Sequence, residues 1–152
     1  MPDRFVAAAR AWLGTPWVNG GRTMGVGISC TGLLIMAARE VGIAVDDIPV
    51  DEARATGREL KRQLVKYCGP VPLNCARHGD VVLMYGAPPR PGDVTPPTHL
   101  GILTQSQPRW HVIHVPRLIE GKTGWCVETR FDPVQQGARG FWRPNAFAGV
   151  ES

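Results

Sequence analysis

The chain has 152 residues, 43% hydrophobic and 20% charged, and four cysteines. That fits a single domain over residues 1–152, large enough to bury most of its apolar surface without staples. The net charge is +4, with basic residues scattered and densest at GRELKRQLVK (57–66). No basic stripe is interleaved with aromatics, so direct nucleic-acid binding is not expected. No apolar run reaches the length of a bilayer span, so no membrane insertion is expected either. A mild positive charge suits an anionic polymer such as a bacterial wall.

In chain order, residues 3–13 repeat apolar groups at helical spacing: Phe5, Ala8, Ala9, Trp12 and Leu13. Asp3 is placed to cap this helix and Gly14 to end it. The stretch carries Asp3 early and lacks a long apolar core, so it reads as a helix and not as a secretory signal. The protein is expected to be made in the cytoplasm and, if it acts outside, to be carried there by something else. A glycine-rich loop, TPWVNGGRTMGVG, follows. Residues 30–40 predict a second helix whose run Leu33 to Ala38 leaves no polar face, so it should be central and buried. Residues 51–67 predict a third, amphipathic helix with Leu60, Leu64 and Val65 inward.

The pattern then changes to short β-rich runs: GDVVLMY, HLGILTQ, WHVIHV and GWCVETRF. Helices first and an antiparallel sheet second signal an α+β fold. GAPPRPGDVTPPT, residues 86–98, has five prolines and predicts a stiff surface loop ending at His99, placed to wall one side of a cleft.

None of the cysteines, Cys30, Cys68, Cys75 and Cys126, forms a C-x-x-C pair, so a zinc ribbon is not expected. Cys68 and Cys75 flank GPVPLN and could bridge in an oxidising setting; reduced structural thiols are the default for all but Cys30. Cys30 sits between a glycine-rich approach and the apolar helix, in GVGISCTGLLIMAARE (25–40). If Ser29 caps that helix, Cys30 lies in its first turn, where N–H groups and the macrodipole favour a thiolate. The same N–H groups can receive an oxyanion. Gly25, Gly27 and Gly32 would keep side chains away, so that a substrate backbone can approach.

A thiolate needs a general acid–base, normally histidine. Strand alternation puts His99, Gly101 and Leu103 on one face, with Gly101 leaving room for a helix end to come close. In WHVIHV, Trp110, Val112 and His114 share one face, and His111 and Ile113 the other. At most one of His111 and His114 can therefore meet the site of His99. His111 is expected at the surface or an interface, and His78 as a solvated turn residue. Asp80 is expected to form a turn.

WLGTPWVNGG, SCTGLL, HLGIL and WHVIHV, in that order over about residues 8–115, together resemble the NlpC-type family of papain-like cell-wall cysteine peptidases. The family pattern runs G-T-P-Y-x-W-G-G, D-C-S-G, G-D, H-V-G-I and I-H-A. HGDVVLM, with Gly79 and Asp80, is similar to the strand that opens the family's sheet. The resemblance implies a papain-like fold and a catalytic triad of Cys30 as nucleophile, His99 as base and His114 as third, polar residue, needing no metal or cofactor. It also implies peptidoglycan as partner and cleavage of stem peptides or cross-links. The spacing G-V-G-x-x-C looks like the branch found in phage tails and gene transfer agents, which implies tail proteins as partners and delivery to the wall by a phage-like particle.

Trp17 stands where the family has tyrosine, Asn19 where it has tryptophan, Ser29 for aspartate and Thr31 for serine. In the family the tyrosine and aspartate help hold the stem peptide, so Trp17, Ser29 and Thr31 are the candidate substrate-binding positions. Without a carboxylate at position 29 no pair forms with a substrate amino group. The family's γ-D-glutamyl–diamino-acid specificity is therefore in question. Two alternatives keep the same fold: a structural tail component without turnover, and an acyltransferase or deamidase on the same triad.

Overall fold

The computed structural model describes residues 1–47, 57–85, 98–106 and 108–148. Helix α1 spans Pro2–Arg10, and its proline occupies a first-turn position where an N–H would have no partner anyway. Asp3 lies in the first turn and does not cap; its carboxylate points at His78 Nε2, 3.3 Å away. His78 also accepts the Gln105 N–H at 2.9 Å, so it ties the sheet to α1 and is not merely a solvated turn residue. The helix stops at Arg10, and the following turn ends at Gly14, whose φ of +88° favours glycine.

A small antiparallel hairpin, β1 (Arg22–Thr23) and β2 (Gly27–Ile28), leads into α2 (Cys30–Glu40). The buried residues of α2 are Gly32, Leu33, Ile35, Ala37 and Ala38, as its apolar run predicts. Helix α3 spans Gly57–Tyr67, and residues 51–56 of the expected helix lie outside the described residues. Leu60 and Leu64 are buried, whereas Val65 is 60% exposed. One residue beyond Leu64 is a 100° rotation around the helix, which takes Val65 off the inward stripe.

Strands β3 (Cys68–Val71), β4 (Val81–Met84), β5 (His99–Ser106), β6 (Arg109–His114), β9 (Val127–Arg130) and β10 (Ala138–Pro144) form one sheet in the order β3-β10-β4-β5-β6-β9. Every pairing in it is antiparallel. Between β6 and β9 a second hairpin, β7 (Leu118–Ile119) and β8 (Lys122–Thr123), stands apart. The fold is α+β, with three helices and a large antiparallel sheet.

One face of the sheet meets the helices. Phe5, Val6, Leu33 and Ala37 pack with Ile102, Ile113 and Val115, and Leu60 and Leu64 with Val81, Leu83, Leu100 and Trp142. The other face gathers Val82, Met84, Leu103, Val112 and Phe141. Full burial of each such aliphatic side chain is worth about 2 kcal/mol. Among the described residues no helix is long and apolar enough to cross a membrane.

Asp80 forms its turn by accepting the Arg77 N–H at 2.8 Å, and it also clamps the sheet. Its carboxylate is fully buried and receives Nε and Nη2 of Arg143 on β10, each at 2.9 Å. Arg143→Met would leave that carboxylate with a single N–H donor. We expect a loss of about 3 kcal/mol, read as a lower urea midpoint with an unchanged slope; an unchanged midpoint would show that the clamp contributes nothing net.

Candidate functional site

The first turn of α2 is built by its cap. Ser29 is extended (φ −104°, ψ 172°), and its Oγ accepts the Gly32 N–H at 3.0 Å. The same oxygen accepts Arg22 Nη1 at 3.1 Å. Arg22 reaches it as a rigid fork: Nε and Nη2 donate to Asp47 at 2.9 and 3.1 Å, and Nη1 also donates to Gly21 O at 2.8 Å. A Cβ on Gly32 would lie 2.5 Å from Arg22 Nη1 and 2.8 Å from Gly21 O. The space at Gly32 therefore belongs to Arg22 and not to a substrate. Gly27 likewise makes room for Val18, 2.5 Å from where its Cβ would be, and Gly25 serves a turn with φ +75°. Ser29, expected among the substrate contacts, is 1% exposed with its oxygen already accepting two donors, so it shapes the helix start.

Cys30 is half-buried and packs against the Leu60, Leu64 and Leu100 cluster. Thr31 is half-buried with Oγ1 3.9 Å from the Cys30 Sγ, and it lines a largely apolar cavity of about 370 Å³ between α2 and α3. The N–H groups of Gly32 and Leu33 are committed to Ser29, so neither serves as an oxyanion donor. Trp17 is half-buried against the α1–α2 core, and the Arg117 guanidinium lies 5.1 Å from its ring centre. Cys68 and Cys75 are both free thiols. Burial, with a smaller contribution from Asp80, pushes Cys68 up to about 12. Burial, with Glu128 behind it, does the same to Cys126.

The strand register brings two imidazoles together. Gly101 of β5 pairs with His114 of β6, so His99 and His114 share a face. His99 Nε2 and His114 Nδ1 are 2.8 Å apart, with the rings edge to face. Behind them, His114 Nε2 is 3.2 Å from Thr129 Oγ1 on β9. His114 is buried and His99 half-buried. Desolvation holds both rings well below the ordinary imidazole value, and the neighbouring His114 lowers His99 further. Both are neutral at pH 7. The gap left by Gly101 is filled by Val112 Cγ2 and Met84 Cε, 2.6 and 2.9 Å from a notional Cβ, and not by a helix end.

His111 points to the other face, as the pleat requires. It is half-buried, and its Nδ1 is sealed with no partner among the described residues. The Pro-rich segment 86–97 lies outside the described residues. Among the described residues no group of three or more His, Cys, Asp or Glu could hold a metal ion. Three members of the site were not read from the sequence. Arg22 is one of the scattered basic residues, and Asp47 carries no local signal in the sequence. Thr129 sits at an alternating position of VETR, and only the β6–β9 register reveals its neighbour.

No protein-family model matches the chain, and no curated protein matches it.

The two buried imidazoles make stability depend on pH. Unfolded histidine titrates near 6.5, whereas the folded pair is held down to about 3 and about 4. Below about 6.5 the unfolded chain binds more protons, so the contribution is complete above that pH and is lost progressively towards pH 4. The expected result is a thermal midpoint that falls between pH 7 and 4.5, with a shallower fall in His114→Gln. Equal slopes in the two proteins would contradict this assignment.

Proposed function

We propose that the chain is a cysteine peptidase of the NlpC type, with Cys30 as nucleophile, His99 as base and His114 as its orienting partner. The observation that carries this reading is the 2.8 Å contact between His99 Nε2 and His114 Nδ1, which occupies one nitrogen of His99 and leaves Nδ1 for proton transfer. A half-buried thiol at a capped helix start supports it. The helices-then-antiparallel-sheet order supports a papain-like fold. The substrate proposed from the GTPW, SCTG, HLGI and IHV motifs is a peptidoglycan stem peptide or cross-link. Delivery by a phage-like tail belongs to the same reading.

In this reaction His99 Nδ1 takes the Cys30 proton as the sulfur attacks the amide carbon. The C–N bond then breaks, and the proton passes from His99 to the leaving amine. Water next gives a proton to His99 and adds to the thioester; the C–S bond breaks and the sulfur leaves with that proton. β5 begins at His99, whose ring alternates to the face opposite Leu100, while Cys30 packs on the Leu100 cluster. The reaction requires thiol and imidazole to meet around the start of the strand, where a terminal side chain is not confined to one face.

Two measurements test the proposal. Purified sacculi should release peptide fragments with the wild-type protein, and the release should fall by at least about a hundredfold in Cys30→Ala and His99→Ala. With Cys75→Ser as background, iodoacetamide should modify Cys30 selectively, since Cys68 and Cys126 stay protonated up to about pH 12; His99→Ala should slow that reaction. Intact sacculi from several wall types, together with a Cys30 that alkylates no faster than Cys68, would replace the peptidase by a scaffold of the same fold.

A further inference from the structure

Thr129 has no place in the triad as read from the sequence, yet it is the end of the hydrogen-bonded row His99–His114–Thr129. When His99 holds the proton from the thiol, both its nitrogens carry hydrogen. Its Nε2–H must then donate, so His114 Nδ1, 2.8 Å away, must be an acceptor. A neutral imidazole with Nδ1 as acceptor carries its hydrogen on Nε2. That N–H lies 3.2 Å from Thr129 Oγ1, which can accept it. The opposite sense, with Thr129 donating to Nε2 and His114 donating from Nδ1, would set N–H against N–H once His99 is protonated. An acceptor for the His114 Nε2–H is therefore required at the step where His99 is charged, and Thr129 Oγ1 is the one the structure places there.

We propose that Thr129 is a positioning residue, whose hydroxyl oxygen holds His114 in the Nε2–H tautomer and so lets His114 accept from His99. The proposal rests on reading His99 as the base. The register favours it: Thr129 pairs with Val112, placing it diagonal to His114, which pairs with Val127. Thr129 is exposed on an edge strand, so its replacement does not open the core.

Thr129→Val keeps the shape and removes the acceptor, whereas Thr129→Ser keeps the oxygen. Nitrogen-15 NMR of histidine-labelled protein at pH 7.5 should show His114 as the Nε2–H tautomer in wild type and Thr129→Ser, and a shift towards Nδ1–H in Thr129→Val. In the Cys75→Ser background, alkylation of Cys30 should slow about tenfold in Thr129→Val, the size of one lost hydrogen bond, and recover in Thr129→Ser. On sacculi the loss should fall on kcat with KM unchanged. An unchanged His114 tautomer, or wild-type alkylation in Thr129→Val, would overturn the proposal. If wild-type protein leaves sacculi uncut while the tautomer and alkylation respond as described, the peptidase reading fails and the role of Thr129 stands.

Discussion

Gly101 faces His114 across the β5–β6 ladder, and this pairing decides which side of the sheet each imidazole occupies. Side chains alternate with a period of two, so a slip of one residue would carry His114 to the helix side and separate it from His99. The register is held from both faces. Ile102 opposite Ile113 is sealed against the helices, and Leu103 opposite Val112 against Phe141, each at most 1% exposed. A slip would exchange all four. Gly101 adds to this because the absence of its Cβ lets Val112 and Met84 close over the backbone beside the two rings. The hydrophobic pattern thus places the polar pair, although neither ring takes part in the pattern.

The start of α2 is fixed by a different kind of force. Arg22 donates to Asp47, Gly21 O and Ser29 Oγ, so one guanidinium joins the β1–β2 hairpin, the segment after α2 and the helix cap. Thr15, itself buried, accepts the Gly25 N–H on its hydroxyl and the Cys126 N–H on its carbonyl. The β1–β2 hairpin and the segment after α2 therefore converge, through Arg22, on the residue before Cys30. Gly32 is the tolerance in this arrangement: any side chain there would displace the guanidinium from the cap.

Strong periodicity was readable from the sequence. The second helix and the four strands GDVVLMY, HLGILTQ, WHVIHV and GWCVETRF follow from alternation and apolar runs alone, whereas alternation left His111 and His114 both open as the partner of His99 until the β5–β6 register decided for His114. β3 and β10 were not legible for a physical reason. CGPV carries a proline, which only an edge strand tolerates, and ARGFWRP mixes Arg and Gly with two aromatics that go to opposite faces. The roles of Gly27 and Gly32 were misjudged because a glycine signals close approach without saying what approaches. Here it is Val18 and Arg22. Thr129 and Asp47 depend on long-range register and loop placement, which local pattern does not encode.

The four cysteines show why position outweighs residue type. Burial, helped by the nearby Asp80 and Glu128 respectively, lifts Cys68 and Cys126 to about 12, which makes them inert at neutral pH. Cys30 differs by sitting half-exposed at a capped helix start. The imidazoles pull the other way, since desolvation keeps both uncharged. In the proposed reaction this favours a neutral thiol–imidazole resting state over a standing ion pair. The proton then moves together with the attack on the carbonyl, when charge developing on the substrate oxygen and on His99 offset one another. A base that rests neutral must be presented on the correct nitrogen before the attack begins. The row behind His99 therefore matters more here than it would at a solvated, permanently charged pair.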